Sequence, residues 1–394
     1  MRKLLIGLGL LIGMLLIFWA AIGPDWRRLI KNATTSKDVL FWSQSERHAG
    51  FRMMDRLPFL IKANTIAPGD EVSALPAGEP LPADIQALIN SHMETTRVAS
   101  LVILQDGKLR HEQYGLEFGP KGRWTSFSVA KSFTSTLVGA AIKDSHISSL
   151  DDKVSEYISG LKGSAYDDVT IEQLLTMSSG VQWNEDYSDP ESDVALFNAQ
   201  EPENGESSLV SYMRKLPRSH PPGEVWNYST GETNLIGVLV REATGKTLAE
   251  YLSEKIWVPN GMEAKATWLL SPDGEEISGC CIQATTRDFA RFGQFILDGA
   301  MINGESILPK GWIEQATFAH KQTQRGGHGY GYQWWTNPDG SYEASGIFGQ
   351  GIFVDPSRNL VIASNSNWTS AIGSKDNEYA ARSVFYQAVQ AALD

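Results

Sequence analysis

Apolar positions dominate the start of the chain, where residues 4–23 are 20 consecutive apolar or glycine positions behind Arg2 and Lys3. A run of that length can cross a bilayer as a helix. Polar and apolar positions then mix through residues 24–81, with isolated aromatics at Trp26, Phe41, Trp42, Phe51 and Phe59 and a Pro/Gly-rich close at residues 76–82. Regular patterning starts at residues 85–95, which have helical spacing. Residues 101–104 form an apolar strand that the Asp106-Gly107 pair turns into a second strand, 109–114. Phe133, Leu137, Val138, Ala141 and Ile142 recur at steps of three and four, as on one helix face. Residues 234–240 form another helical pattern, 352–354 and 360–363 are strands around an Asp355-Pro356 turn, and 379–393 is helical again.

This order predicts an α/β fold of the α+β type. Its antiparallel sheet is built from the N-terminal hairpin and the strands after Gly346, and the terminal helices cover one face. The middle of the chain supplies a mostly helical second lobe, with a cleft between the two. Three segments follow: an N-terminal membrane anchor or signal segment, 1–23; a connecting extension packed on the main domain, 24–84; and the main domain, 85–394. The apolar run is longer than the core of a cleaved signal, and residues 18–22 make a poor cleavage site, which favours an uncleaved single-pass anchor with the main domain outside the cytoplasm. Arg27, Arg28 and Lys31 compete with Arg2 and Lys3 in setting orientation, and release to the periplasm after cleavage is the alternative.

Composition narrows the function classes. A net charge of -12 argues against nucleic acid, which rewards a basic surface. The sequence has neither a nucleotide-binding glycine loop nor a metal-ligating His-Glu-x-x-His, so no cofactor is expected. His220, His320 and His328 have no ligand spacing. The two cysteines, Cys280 and Cys281, are adjacent, and two buried thiols are expected because so small a ring opposes a disulfide.

The candidate chemistry begins at Ser128-Val129-Ala130-Lys131, which heads the helical pattern after it. If the helix forms, serine and lysine share a face one turn apart, near N–H groups that can stabilise an oxyanion. A serine hydroxyl needs a base, and a lysine kept partly neutral by burial can serve. Ser159-Gly160-Leu161-Lys162 fits the same spacing, so the pattern alone has little specificity. Two further elements follow in order: Tyr228-Ser229-Thr230 after a Pro-Pro-Gly turn, and residues 345–351 with Ser345, Gly346 and Ile347 ahead of a strand.

Together these motifs resemble the penicillin-recognising serine hydrolases, a family of class C β-lactamases, D-alanyl-D-alanine carboxypeptidases, family VIII carboxylesterases and 6-aminohexanoate-dimer (nylon-oligomer) hydrolases. The likeness covers roughly residues 85–392. It implies a β-lactamase/transpeptidase-like fold, with Ser128 as nucleophile, Lys131 and Tyr228 as acid/base pair, and the backbone N–H groups of Ser128 and Ile347 as oxyanion hole. Residues 174–180 and 183–190 resemble the nylon-oligomer hydrolase branch, in which Tyr187 matches a tyrosine at the substrate. A loop aromatic that covers the core is the other reading of Tyr187.

Two positions depart from the family pattern. Thr230 stands where Asn is usual and loses the amide's paired donor and acceptor. Ala344-Ser345-Gly346 lacks the Lys or His that would pair with a substrate carboxylate. Thr230, Ser345 and Gly346, with Tyr187, are the expected substrate contacts. The reading is a serine hydrolase that acts through an acyl-enzyme on a small ester, linear amide or peptide. β-Lactamase or carboxypeptidase action, and a catalytically idle ligand-binding relative, are the alternatives. Trp334 and Trp335 are candidates for an apolar acyl pocket, with core packing expected for at least one.

Overall fold

Eight antiparallel strands form the main sheet, in the order Lys108–Tyr114, Val98–Gln105, Leu360–Ser366, Gln350–Asp355, Tyr342–Gly346, Trp335–Thr336, Gly329–Tyr330 and Lys321–Gln322. This structure, a computed structural model, describes residues 2–32, 36, 38–56, 61–203, 205–323 and 327–394, with the backbone alone at 2–4 and 198. Phe59 and the side chains of Arg2 and Lys3 lie outside the described residues. The hairpin turns where expected, with Asp106 and Gly107 both at positive φ (51° and 69°), the conformation of a two-residue turn that matches strand twist.

Strand Val98–Gln105 has an unbroken apolar run because both of its faces are covered. On one face, Leu101 and Ile103 meet Ile85, Ile89 and Met93 of helix Ala83–Thr95 and Phe385 and Val389 of helix Glu378–Ala391. These are the expected terminal helices. On the other, Val102, Leu104, Val361 and Ala363 join Phe289, Phe292 and Ile296 of helix Thr286–Leu297. Gly293 permits that approach, since a Cβ there would sit 2.6 Å from Val361 and 2.7 Å from Ile352.

The second lobe is mostly helical, with Ala130–Lys143 packed against Thr230–Thr244. A four-stranded sheet stands beside it, in the order Ala63–Ile66, Ala266–Leu269, Ile282–Ala284 and Trp124–Thr125, and the sequence pattern did not announce it. The extension contributes the first of these strands, and Trp42 and Phe51 are buried in one cluster with Trp124, Phe127 and Phe348.

One feature differs from expectation. Cys280 and Cys281 are joined as a disulfide instead of standing as two thiols; the turn at Cys281, with φ at 82°, brings the two side chains together. The N-terminal apolar run forms helix Arg2–Ala21 and then bends by 113° into Gly23–Lys31. Among the described residues no single helix is long and apolar enough to cross a membrane, and this bent pair meets that measure only when taken together.

Candidate active site

Ser128 sits in a 3₁₀ turn, Phe127–Val129, that leads into helix Ala130–Lys143, and so just outside the first helical turn expected for it. Ser126 fastens this turn to the small sheet: its N–H donates to the Ile282 carbonyl at 2.8 Å and its hydroxyl accepts from the Ile282 N–H at 2.9 Å. Phe127 then takes a positive φ of 43°, an uncommon conformation for a bulky residue, and this aims Ser128 into a cleft of about 250 Å³. Phe348, which follows Ile347 on the opposite wall, also has a positive φ, 59°. Phe51 packs against both rings, 4.9 Å from Phe127 and 5.4 Å from Phe348, and those two lie 5.5 Å apart. Residues held so far from their ordinary backbone wells persist only where packing over-determines them.

Lys131 follows one turn later, and only 1% of it is exposed. Its Nζ donates to the Gly279 carbonyl at 2.7 Å and the Thr230 hydroxyl at 2.9 Å, and lies 3.4 Å from Ser128 Oγ. Gly279 has no side chain because a Cβ there would stand 2.9 Å from Thr230 and 3.1 Å from Lys131 Nζ. Asn234 holds this backbone in place, accepting from the Gly279 N–H at 2.6 Å. Burial pushes the Lys131 pKa down to about 8, against an opposing pull from the Glu185 charge. Roughly a tenth of the side chain is therefore a neutral amine at pH 7, the form a base for Ser128 requires, against well under a thousandth at the ordinary lysine pKa.

Tyr228 enters from the far side. Ser229 caps helix Thr230–Thr244, its hydroxyl accepting from the Glu232 N–H at 3.1 Å, so Tyr228 is left on the loop and Thr230 becomes the first helical residue. The Tyr228 ring lies 5.3 Å from Lys131 Nζ and stacks on Trp335 at 5.5 Å. Ser128, Tyr187, Tyr228, Ser345, Gly346 and Ile347 all line one cleft, while Thr230 is buried beneath it against Lys131. Gly346 lets its strand close on the nucleophile turn, since a Cβ there would meet the Ser126 carbonyl at 2.6 Å. Trp335 lines the cleft and Trp334 is core. Neither Ser159 nor Lys162, nor any of His220, His320 and His328, is among the lining residues.

Sequence reasoning missed four contributors. Glu185 sits within the run that drew attention to Tyr187, yet had no assigned part; it lines the cleft and accepts from both the backbone N–H and the hydroxyl of Thr230. Its adjacency to Tyr187 was the available signal. Trp368 and Tyr379, in the chain after the last strand, also line the cleft. Arg382, on the C-terminal helix, donates to Ser345 Oγ at 3.0 Å, so a cation reaches the third motif from behind, where local sequence offered no hint.

A family model described as beta-lactamase matches residues 85–385. The 6-aminohexanoate-dimer hydrolase of Paenarthrobacter ureafaciens is 28% identical over 296 residues, 71% of this chain and 75% of that one. A lovastatin esterase of Penicillium rubens is 36% identical over 96 residues, 24% of this chain and 23% of that one. Among solved structures, a putative 6-aminohexanoate-dimer hydrolase from Bacillus anthracis superposes with a TM-score of 0.75 at 23% identity, over 91% of this chain and 98% of that one. The matched span takes in the serine, the buried lysine, the tyrosine loop and the closing strand alike, and the chain belongs to the beta-lactamase family of hydrolases.

Proposed function

We propose that the protein hydrolyses a small ester or a linear amide through an acyl-enzyme on Ser128. One observation carries this reading: a lysine that is 1% exposed and has its pKa pushed down to about 8 lies 3.4 Å from the hydroxyl of a serine that opens onto a cleft. Ser128 Oγ attacks the carbonyl carbon as its proton passes to Lys131, and the carbonyl π pair moves onto oxygen, facing the N–H groups of Ser128 and Ile347. Tyr228, beside Lys131, returns a proton to the leaving oxygen or nitrogen, and water then releases the acid.

The cleft wall supports an uncharged acyl group. Trp226, Tyr228, Trp335 and Tyr187 form an aromatic side, and Glu185 is the charged residue among those lining it. Arg382 stops behind Ser345 and is itself 3% exposed, so a substrate carboxylate gains no direct ion pair there. This ranks esters and simple amides above penicillins and D-Ala termini. The same reading seats helix Arg2–Ala21 in a membrane, since residues from Leu5 to Phe18 such as Leu10, Leu16 and Ile17 are exposed and apolar.

Intact-mass spectrometry after exposure to a fluorophosphonate, and separately to a penicillin, tests the assignment beside Ser128→Ala. The expected result is a fluorophosphonate adduct on Ser128, absent from the variant, with little or none from penicillin. A folded protein that takes no adduct would turn the reading to an idle ligand-binding relative.

A further inference from the structure

Glu185 accepts four hydrogen bonds. Oε2 takes the Thr230 N–H at 2.9 Å and the Trp183 indole N–H; Oε1 takes the Tyr187 hydroxyl at 2.8 Å and the Thr230 hydroxyl. Thr230 has a single hydroxyl proton, and the carboxylate takes it. Toward Lys131 the Thr230 oxygen is therefore an acceptor only. The Gly279 carbonyl, the other partner of Lys131, is an acceptor by nature. A neutral amine has two N–H groups and one lone pair; with both protons committed to Gly279 and Thr230, the lone pair is left for the third neighbour, Ser128.

We propose that Glu185 is a positioning residue that fixes the direction of the Thr230 hydroxyl and thereby turns the Lys131 lone pair toward Ser128. The inference rests on the acyl-enzyme reading above and adds to it the reason a threonine serves where the family pattern has asparagine. An asparagine keeps acceptor and donor on separate atoms, so beside a carboxylate its NH₂ faces that group and its oxygen is left for the lysine, whereas a hydroxyl has one proton whose direction a partner must fix.

Replacing Glu185 by Gln reverses the chain in a defined sense. Two of the four donors, the Thr230 and Trp183 N–H groups, cannot turn around, so the glutamine oxygen must take the Oε2 place. Its NH₂ then falls on the side of the two hydroxyls and donates to Thr230. The Thr230 proton is driven toward Lys131, occupies the lone pair there, and leaves an N–H facing Ser128. Base catalysis is then lost with every atom of the dyad still present.

The test follows the rate of Ser128 labelling by a fluorophosphonate against pH in the full-length protein. In Glu185→Gln the plateau at high pH is expected to fall at least about 100-fold, the lower end of what a positioned base contributes. Its midpoint should move down from about 8, because the charge that raises the Lys131 pKa is gone. Tyr228, the other titratable group beside Lys131, is unchanged in this variant. In a Thr230→Val background, where there is no hydroxyl to direct, adding Glu185→Gln should change the plateau by less than about threefold. A charge effect alone would shift the midpoint and spare the plateau, and a packing role would lower the plateau with or without the Thr230 hydroxyl. A plateau in Glu185→Gln within about twofold of the parent, or a further fall of more than about threefold when it is added to Thr230→Val, overturns the proposal. Should Glu185→Gln fail to fold, Thr230→Val decides it with Glu185 intact: valine must lose the plateau, and a fast valine variant is equally fatal. Failure of the parent to label at Ser128 is a different result, because it removes the acyl-enzyme reading before any change at Glu185.

Discussion

Two buried ionisable side chains beneath the cleft have their pKa values moved in opposite senses by the same cause. Lys131 loses its charge readily because burial disfavours the ammonium, and Glu232 keeps its proton up to about pH 8 because burial disfavours the carboxylate. For Glu232 the sign is definite. Its folded pKa lies above the unfolded 4.5, so the folded state holds the extra proton between those values and stability falls as pH rises from about 4.5 to about 8. Glu232→Gln should therefore raise the melting temperature at pH ~8 and leave it nearly unchanged at pH ~4.5; an equal effect at both would argue against a protonated acid in the fold. At this scale the sequence was informative about residue types and poor about partners. The Ser128 and Lys131 spacing stood out, as did Tyr228 and Thr230, because chain-local spacing places them. Gly279 and Arg382 did not, because each reaches the site across many residues of intervening chain, where spacing carries no information, and Glu185 was passed over two residues from Tyr187, because a carboxylate in a polar run does not announce its partners.

Elements hold the nucleophile by meeting it at backbone level. The strand ending at Gly346 comes close enough to the Ser126 carbonyl that any Cβ would be at 2.6 Å. Gly346→Ala should thus separate the two walls, cutting Ser128 labelling by at least about tenfold, with a stability loss of only about 1–3 kcal/mol by chemical denaturation; unchanged labelling would show that this approach does not matter. Long elements were legible. Helices Ala83–Thr95, Thr230–Thr244 and Glu378–Ala391, and the hairpin at Asp106-Gly107, follow directly from periodicity and turn chemistry. Strands of two residues, such as Trp124–Thr125 and Trp335–Thr336, show no period, and so the second sheet and the far edge of the main sheet went unseen.

Across the whole molecule, the segment ahead of the family-matched region is part of the site's support. Phe51 is fully buried against Phe127 and Phe348, its carbonyl accepts from the Thr125 N–H at 3.0 Å, and the Arg47 guanidinium lies 4.5 Å from the Phe348 ring. Phe51→Ala should cost about 3–5 kcal/mol of stability and slow Ser128 labelling further than a distant core truncation of equal cost, such as Phe385→Ala. Equal labelling rates in the two variants would mean that the extension stabilises the fold without shaping the turn. The sequence showed only that the aromatics of this stretch belong against the main body, because irregular chain has no period from which a docking place can be read. The central claim is that a buried Lys131, in its neutral form, activates Ser128, and the pH dependence of fluorophosphonate labelling at Ser128 in the full-length protein tests it most directly. The account requires a rate that rises with pH to a plateau, with a midpoint near 8, and that disappears in Lys131→Met. A rate that ignores pH between about 6 and about 9, or that survives in Lys131→Met, would contradict it.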